Sequence, residues 1–445
     1  MIIKGIVALL IGMAPTAAMQ AGEALSLAEC HEMALRHNVA IRNSALQSEA
    51  AKEVRREAFT KYFPEISATG MAFKTSTEVL KFSKSGEFPI PPIPDILPQG
   101  GALPYSFDFG LIRKGFSVGA TLVQPVFMGG MIVNGNKLSE IGEAVAELQS
   151  RQNVDQVYLT VEQYFWQLAT LKAKRQTVDE VIALLDTLEN QVNVAVKAGV
   201  VLRNDLLEVQ LRRNEMKTAR MELDNGISIM STLLGQYIGM GVTPVEINSE
   251  IADNVRIDSP ESFYINPVDA LYATTDYRLL QQSVRAADLE KRMEMGKNLP
   301  KVGVGAGYFY NGLDGQRHGF GAIFAGVQIP ISGWWGGSHA MKRSKLKLEM
   351  AKNRLADDSE LLQVKMANAW NDMNTSYEKI SVAHLSISQA TENLRINENC
   401  YRAGTVTIND LLRAQTLFRQ SHDQFVDAYG NYMIKIVEYK QSTGR

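Results

Sequence analysis

Hydrophobic positions along this chain change period several times, and each change marks a new element. Between Pro125 and Gly199, apolar residues fall at Val154, Val157, Val161, Leu168, Leu171, Val178, Ile182, Leu185, Val192 and Val196. This is the spacing of a coiled-coil seam, interrupted by Arg175 and Glu189. Ahead of that seam the period is two: Phe116, Val118, Ala120 and Leu122 alternate with Ser117, Gly119 and Thr121. The same alternation returns in VGVGAGYFY (302–310), with Val302, Val304, Ala306, Tyr308 and Tyr310 on one side and Gly303, Gly305, Gly307 and Phe309 on the other. ISATGMAF (66–73) and FGAIFAGVQI (320–329) supply a second strand to each pair. The pattern therefore predicts strands at 66–74, 115–124, 301–310 and 319–329 and long helices at 130–197 and 337–402. It adds return helices at 203–239 and 407–440, and a shorter helix before each strand pair, at about 26–62 and 267–298.

These elements come in two copies. AGVVLRNDLLEVQ (198–210) recurs as AGTVTINDLLRAQ (403–415), an offset of 205. The same offset superimposes Pro125 on Pro330, so both long elements have the same length. At about 1.5 Å per residue, some 65 helical residues would make a rod of roughly 100 Å. Each rod ends in a glycine stop, Gly199 or Gly404, and restarts at an Asn-Asp pair, so each turns back on itself. Residues 126–243 and 331–445 contain no proline; the prolines after the leader sit at joints, Pro125 among them. The repeats are 22–239 and 267–445, with an equatorial segment at 240–266. Pro64 matches Pro300 at an offset of 236, so the first hairpin is longer; its excess, FPIPPIPDILPQGGALP (88–104), reads as a stiff surface loop.

Composition changes the picture in one respect. Residues 1–21, MIIKGIVALLIGMAPTAAMQA, place Lys4 before a short apolar run and small residues, a secretory signal peptide with cleavage after Ala18 or Ala21. No other stretch is apolar for the ~20 residues that a transmembrane helix needs. Any membrane crossing of the exported chain thus falls to strands. A formal charge of −2 gives no footprint for nucleic acid. Cys30 and Cys400 lie too far apart along the predicted helices to bridge, so two free thiols are expected. The six histidines show no metal-ligand spacing, and no nucleophile or phosphate-loop motif is present, so no metal, cofactor or enzymatic activity is expected.

Four strands cannot close a barrel, and open edges are not tolerated in lipid, so oligomerisation is required; a trimer supplies twelve strands and a dimer eight. The paired strands, long helix, A-G-x-V…N-D-L-L-x-x-Q turn and return helix, all duplicated, together resemble the outer membrane efflux protein family, the TolC-like outer membrane factors. The best match is CYRAGTVTINDLLRAQTLF (400–418). The resemblance implies a homotrimer in the outer membrane, its twelve-stranded β-barrel continuous with a periplasmic α-helical coiled-coil barrel. It also implies a passive duct of a tripartite efflux or type I secretion system, docked by a periplasmic adaptor (membrane fusion) protein and an inner-membrane pump. The rival reading is a periplasmic structural or adhesive coiled-coil protein with a soluble sheet.

By the same resemblance, Asp205 and Asp410 match acidic gate positions, and Tyr401 an aromatic that hydrogen-bonds the first of them. Val406 stands where the resemblance expects a restraining arginine, and Arg413 where it expects a second acid. Both aspartates also suit helix N-terminal stabilisation. The adaptor tip comprises Ala198, Gly199, Val200, Leu206 and Leu207 with Ala403, Gly404, Thr405, Leu411 and Leu412. Trp334 and Trp335, just after a strand, suit anchoring at a membrane interface or packing.

Overall fold

The computed structural model describes residues 24–445 except 80–81, 84–85, 91–100, 106–107, 110–111, 250, 252–256, 314–315 and 332. The leader and the centre of the proline-rich stretch lie outside the described residues. The chain divides into two compact units, one built from residues 1–47, 147–278 and 357–445, the other from 48–146 and 279–356.

In chain order the elements are α1 (Leu27–His37), α2 (Val39–Thr60), β1 (Glu65–Val79), β2 (Phe82–Ser83), β3 (Gly86–Ile90), β4 (Gly101–Tyr105), β5 (Asp108–Phe109) and β6 (Ile112–Met128). Then follow α3 (Met131–Lys197), α4 (Arg203–Tyr237), α5 (Pro267–Leu271), α6 (Thr275–Lys297), β7 (Lys301–Leu313), β8 (Gln316–Gln328), α7 (Gly333–Arg402) and α8 (Ile408–Ser442). Helices α3 and α7 run for 67 and 70 residues, and each return helix, α4 and α8, for 35. Mostly helical, the chain carries one four-stranded antiparallel sheet.

That sheet, in the second unit, has the order β1-β6-β7-β8. Its register puts Ile66, Leu122, Ala306 and Ile323 in one cross-strand row and Ala68, Ala120, Tyr308 and Gly321 in the next. This face is apolar and bare: Ile66, Tyr308, Ile323 and Val327 are all exposed, Ile323 to 91%. The opposite face is mixed, its glycines, serines and threonines interspersed with Phe309, Phe320 and Phe324. There Ser67 and Thr121 hydroxyls pair at 2.9 Å, and Ser117 Oγ donates to Asn311 at 2.6 Å. Directly opposed Gly–Phe pairs recur, Gly119 with Phe309 and Gly305 with Phe324 on this face, and Gly312 with Phe116 on the apolar one. A Cβ at Gly119 or Gly305 would meet the partner ring at 2.5 Å, so glycine is what lets the ring lie flat across the strand.

The strands outrun the lengths expected from sequence, and Pro125 is not a joint. It lies within β6, opposite Gly303, beside a register shift between Pro125 and Phe127. A bulge removes the need for the amide proton that proline lacks. The chain leaves the sheet at Gly129 and Gly130, both with positive φ, and a Cβ at Gly129 would strike the Gly296 carbonyl at 2.1 Å. The proline-rich loop also departs from expectation, since Gly86–Ile90 pairs with Gly101–Tyr105 as an antiparallel ladder. Pro89 and Pro104 are paired there by backbone position, Pro89 with Ala102 and Glu87 with Pro104.

In the first unit the helices pack through continuous stripes. On α7 the buried residues Met366, Met373, Ile380, Ile387 and Leu394 recur every seven positions, with Ser376, Ala383 and Ala390 between them. On α3 the stripe is Val178, Val181, Leu185, Leu188 and Val192. It is rotated from the expected seam, so Val181 and Leu188 occupy the core in place of Ile182 and Glu189. The charge is the reason: Glu189, kept at the margin, accepts from Gln210 at 2.9 Å and lies 3.5 Å from Arg213.

The first predicted helix is two. Asn38 is extended at the end of α1, accepts from the Ala40 amide at 2.8 Å and donates to the Tyr237 carbonyl at 3.0 Å, capping both α1 and α2. The helix expected at 267–298 is likewise interrupted, with Thr274 Oγ1 accepting from the Tyr277 amide at 3.3 Å. A parallel bridge between Leu25 and Ile247 ties the N-terminal segment to the equatorial segment. Both cysteines are free; burial pushes the Cys30 thiol up to about 12, and Cys400 is half-buried. Trp335 is 82% exposed.

Candidate functional site at the paired helical turns

The two copies of the repeated motif form the turns α3–α4 and α7–α8, both in the first unit. Each stops its long helix in the same way. Gly199 and Gly404 take φ of 75° and 71°, the amides of Val200 and Thr405 reach back to the Ala195 and Cys400 carbonyls, and the glycine amides bond Val196 and Tyr401. This double bond satisfies carbonyls that the helix end would otherwise leave unpaired. Nothing lies within 4 Å of a Cβ at either glycine, so backbone conformation alone requires them.

The restart differs. In the second turn Thr407 Oγ1 accepts from the Asp410 amide at 3.3 Å, while Asp410 accepts from the Thr407 amide at 3.0 Å and its hydroxyl at 2.6 Å. This reciprocal capping box holds the Asp410 carboxyl below the usual range, the Thr407 hydrogen bonds being the main cause and Arg413 a lesser one. In the first turn the equivalent of Thr407 is Leu202, 73% exposed, which makes no side-chain cap. Asp205 has no such latch. Its charge is felt by Tyr401, whose hydroxyl is raised first by burial and then by Asp205. Among the described residues no hydrogen bond joins the two. Arg413 is exposed.

The apolar residues of the turns separate in the same sense. Leu411 is buried and its counterpart Leu206 half-buried; Leu412 is half-buried and Leu207 51% exposed. Ala198, Gly199 and Val200, like Ala403, Gly404 and Thr405, are exposed. Beneath them one core joins both hairpins, with Leu185, Leu188, Val192 and Val209 meeting Leu394, Ile408, Leu411 and Ala414. Arg212 Nη2 also donates to Thr416 Oγ1 at 2.6 Å, tying α4 to α8.

Sequence reasoning missed several of these contacts. The capping box was available as Thr-Ile-Asn-Asp, an N-cap threonine with an acid three residues on. The α3–α4 ion pairs, Arg175 with Asp224 at 2.6 Å and Arg220 with Asp179 at 2.8 Å, carry no local signature. Nor does the approach of His31 Nε2, at 3.6 Å, to the buried Glu162, which accepts from Trp166 Nε1 at 2.7 Å one turn along its own helix. Burial raises Glu162 and lowers His31, so both favour their neutral forms.

Residues 267–445 match the family described as outer membrane efflux protein. Over 280 residues, 58% of this chain, the sequence is 22% identical to the outer membrane protein TolC of Escherichia coli, and the match spans 55% of that protein's length. The fold extends further. The outer membrane protein VceC of Vibrio cholerae superposes with a TM-score of 0.73 at 15% identity, covering 94% of this chain and 96% of that one. The CmeC outer membrane channel of Campylobacter jejuni gives 0.75 at 14% identity, covering 94% and 85%. The second repeat is thus similar in sequence to the outer membrane efflux proteins, and nearly the whole chain shares the fold of these solved outer membrane proteins.

Proposed function

We propose that this protein is an outer-membrane channel, a passive exit duct working with a periplasmic adaptor and an inner-membrane pump. The observation that carries the reading is the sheet. Its two outer strands, β1 and β8, lack partners on one side among the described residues, and its exposed apolar face backs onto a face of glycine, serine and threonine interspersed with Phe309, Phe320 and Phe324. A strand of ~9–11 residues crosses a bilayer, and β1, β6, β7 and β8 have 15, 17, 13 and 13. Free strand edges cannot persist in hydrocarbon, so β1 of one copy pairs with β8 of the next. Three copies close a twelve-stranded barrel, as the resemblance to the outer membrane efflux proteins implies. The apolar face meets lipid and the opposite, glycine-rich face the pore. The helices form the periplasmic tunnel.

The periplasmic gate lies at the paired turns, with Asp205, Tyr401, Asp410 and Arg413 as its charged and aromatic groups. The adaptor docks on the exposed tip residues around Gly199 and Gly404. No part of this reading requires chemistry on the cargo: the duct passes what the pump delivers.

Single-channel conductance of the purified oligomer in planar bilayers tests it. Wild-type protein should give small currents that increase in Asp205→Ala, where no capping box competes for the carboxylate. A correctly folded oligomer that conducts in no variant would overturn the channel reading and favour a structural coiled-coil protein.

A further inference from the structure

A cleft of about 610 Å³ lies between the C-terminal half of α2 and the first turns of α3, wholly within the second unit. Its two walls are helix faces at three- and four-residue spacing, Lys52, Arg55, Arg56 and Phe59 on one and Val133, Asn136, Lys137 and Glu140 on the other. Two interhelical bonds brace it. Arg55 pairs with Glu143 at 2.7 Å, and Asn136 Nδ2 donates to the Ala58 carbonyl at 2.8 Å. Arg55 is thereby committed, and Arg56 leans on Glu53 one turn away. Lys52 and Lys137, one from each wall, have no carboxylate within ion-pair distance among the described residues. The lining holds four cations and two carboxylates, an excess of positive charge.

At one end of the cleft the walls become aromatic. Phe59 stacks edge-on against Tyr62 and Phe63 with ring centroids 5.7 and 5.5 Å apart, and Phe59 and Phe63 are each 55% exposed. Gln124 Nε2 fixes this corner by donating to the Tyr62 carbonyl at 3.0 Å. Two residues beyond Phe63 the chain enters β1, where Ile66 is 75% exposed. Cations, then an exposed aromatic cluster, then a bare apolar strand follow one another in the order of a lipid's phosphate, interface and acyl chain. A soluble phosphate would use the first of these and leave the other two without purpose.

We propose that this cleft binds the headgroup of an anionic phospholipid, with Lys52 and Lys137 on the phosphate and Phe59 and Tyr62 against the glycerol and upper acyl chain. The inference rests on the outer-membrane reading above. Once bound, the lipid would cross-link α2 to α3 at the foot of the sheet, a place where Arg55–Glu143 and Asn136–Ala58 are the direct polar ties between the two helices.

Native mass spectrometry of the full-chain oligomer, released from micelles holding equal amounts of phosphatidylglycerol and phosphatidylcholine, tests it. Wild-type protein should retain phosphatidylglycerol preferentially. Lys52→Gln and Lys137→Gln, which preserve polarity and most of the side-chain length, should each weaken that preference about fivefold, as expected for one lysine near an anionic surface. Lys347→Gln, an exposed lysine on α7, should leave it unchanged. Equal losses in all three variants, no preference in wild type, or complete displacement by millimolar inorganic phosphate would overturn the headgroup site. Conductance measured on the same preparations separates this from the parent reading. Conducting protein without lipid preference removes the site and leaves the duct; lipid preference without conductance removes the duct and leaves the site.

Discussion

The two turns at α3–α4 and α7–α8 stop their helices identically and restart them differently, although 13-residue motifs at a fixed offset encode both. Glycine at φ near 70–75° ends each long helix with the same pair of backbone bonds. Thr407 then caps α8 and captures Asp410, whereas Leu202 caps nothing and leaves Asp205 to influence Tyr401 through space. The first buried residue follows the same division, Ile408 being in the core where its counterpart Arg203 is exposed. Duplication thus preserves the backbone stop, which only glycine satisfies cheaply, while side chains diverge where several can serve. An acid present in both copies is latched in one and, among the described residues, unlatched in the other.

The largest effect should come from the leucines. Leu411→Ala empties a site that is 3% exposed and should cost about 2–5 kcal/mol, while Leu206→Ala, half-buried, should cost distinctly less. Equal losses in denaturant unfolding would show that oligomer contacts erase the asymmetry. Gly199→Ala and Gly404→Ala come next, each forcing a side chain into the left-handed region at about 1–2 kcal/mol. Because nothing crowds either Cβ, the two penalties should agree, and a thermal-unfolding difference between them would reveal a contact made only in the assembly.

Exchanging the caps should act in opposite directions. Thr407→Ala should destabilise α8 by about 1 kcal/mol, and Leu202→Thr should stabilise α4 by a similar or smaller amount by recreating the box with Asp205. Amide hydrogen exchange at the first turns of the two helices reads both changes. If Leu202→Thr also moves conductance toward that of a more closed channel, then Asp205 gates only while uncapped. The smallest effect is pH-dependent. The folded-state pKa of Asp410 is lowered, so its contribution is present above the ordinary carboxylate value and lost as pH falls through the lowered one. Exchange protection at the start of α8 should therefore decline only in strong acid, and Thr407→Ala should shift that decline to higher pH.

Much of this was legible beforehand because it depends on short-range rules. The glycine stops, the proline-free rods and the alternating segments all follow from backbone sterics and side-chain period. The same rules misjudged Pro125, since a bulge opposite β7 supplies what a joint would otherwise have to. Asn38 divides the first helix by bonding the Tyr237 carbonyl, a partner 199 positions away that no local pattern announces. The candidate gate was legible as residue types at matched positions. Which aspartate is latched was half-legible, since Thr407 and Leu202 stand three residues before them.

What the sequence determined alone is therefore a mostly helical chain with four sheet strands, its duplication and the backbone form of both turns, because each is fixed within a few residues of chain. The tertiary structure decided what those elements face. It turned the α3 stripe so that Val181 and Leu188 are buried and Glu189 is left to Arg213, laid phenylalanine rings over Gly119, Gly305 and Gly312, and set Lys52 across a cleft from Lys137. Burial and charge pairing are sums over neighbours distant in sequence, so they become definite only when the chain has brought those neighbours together.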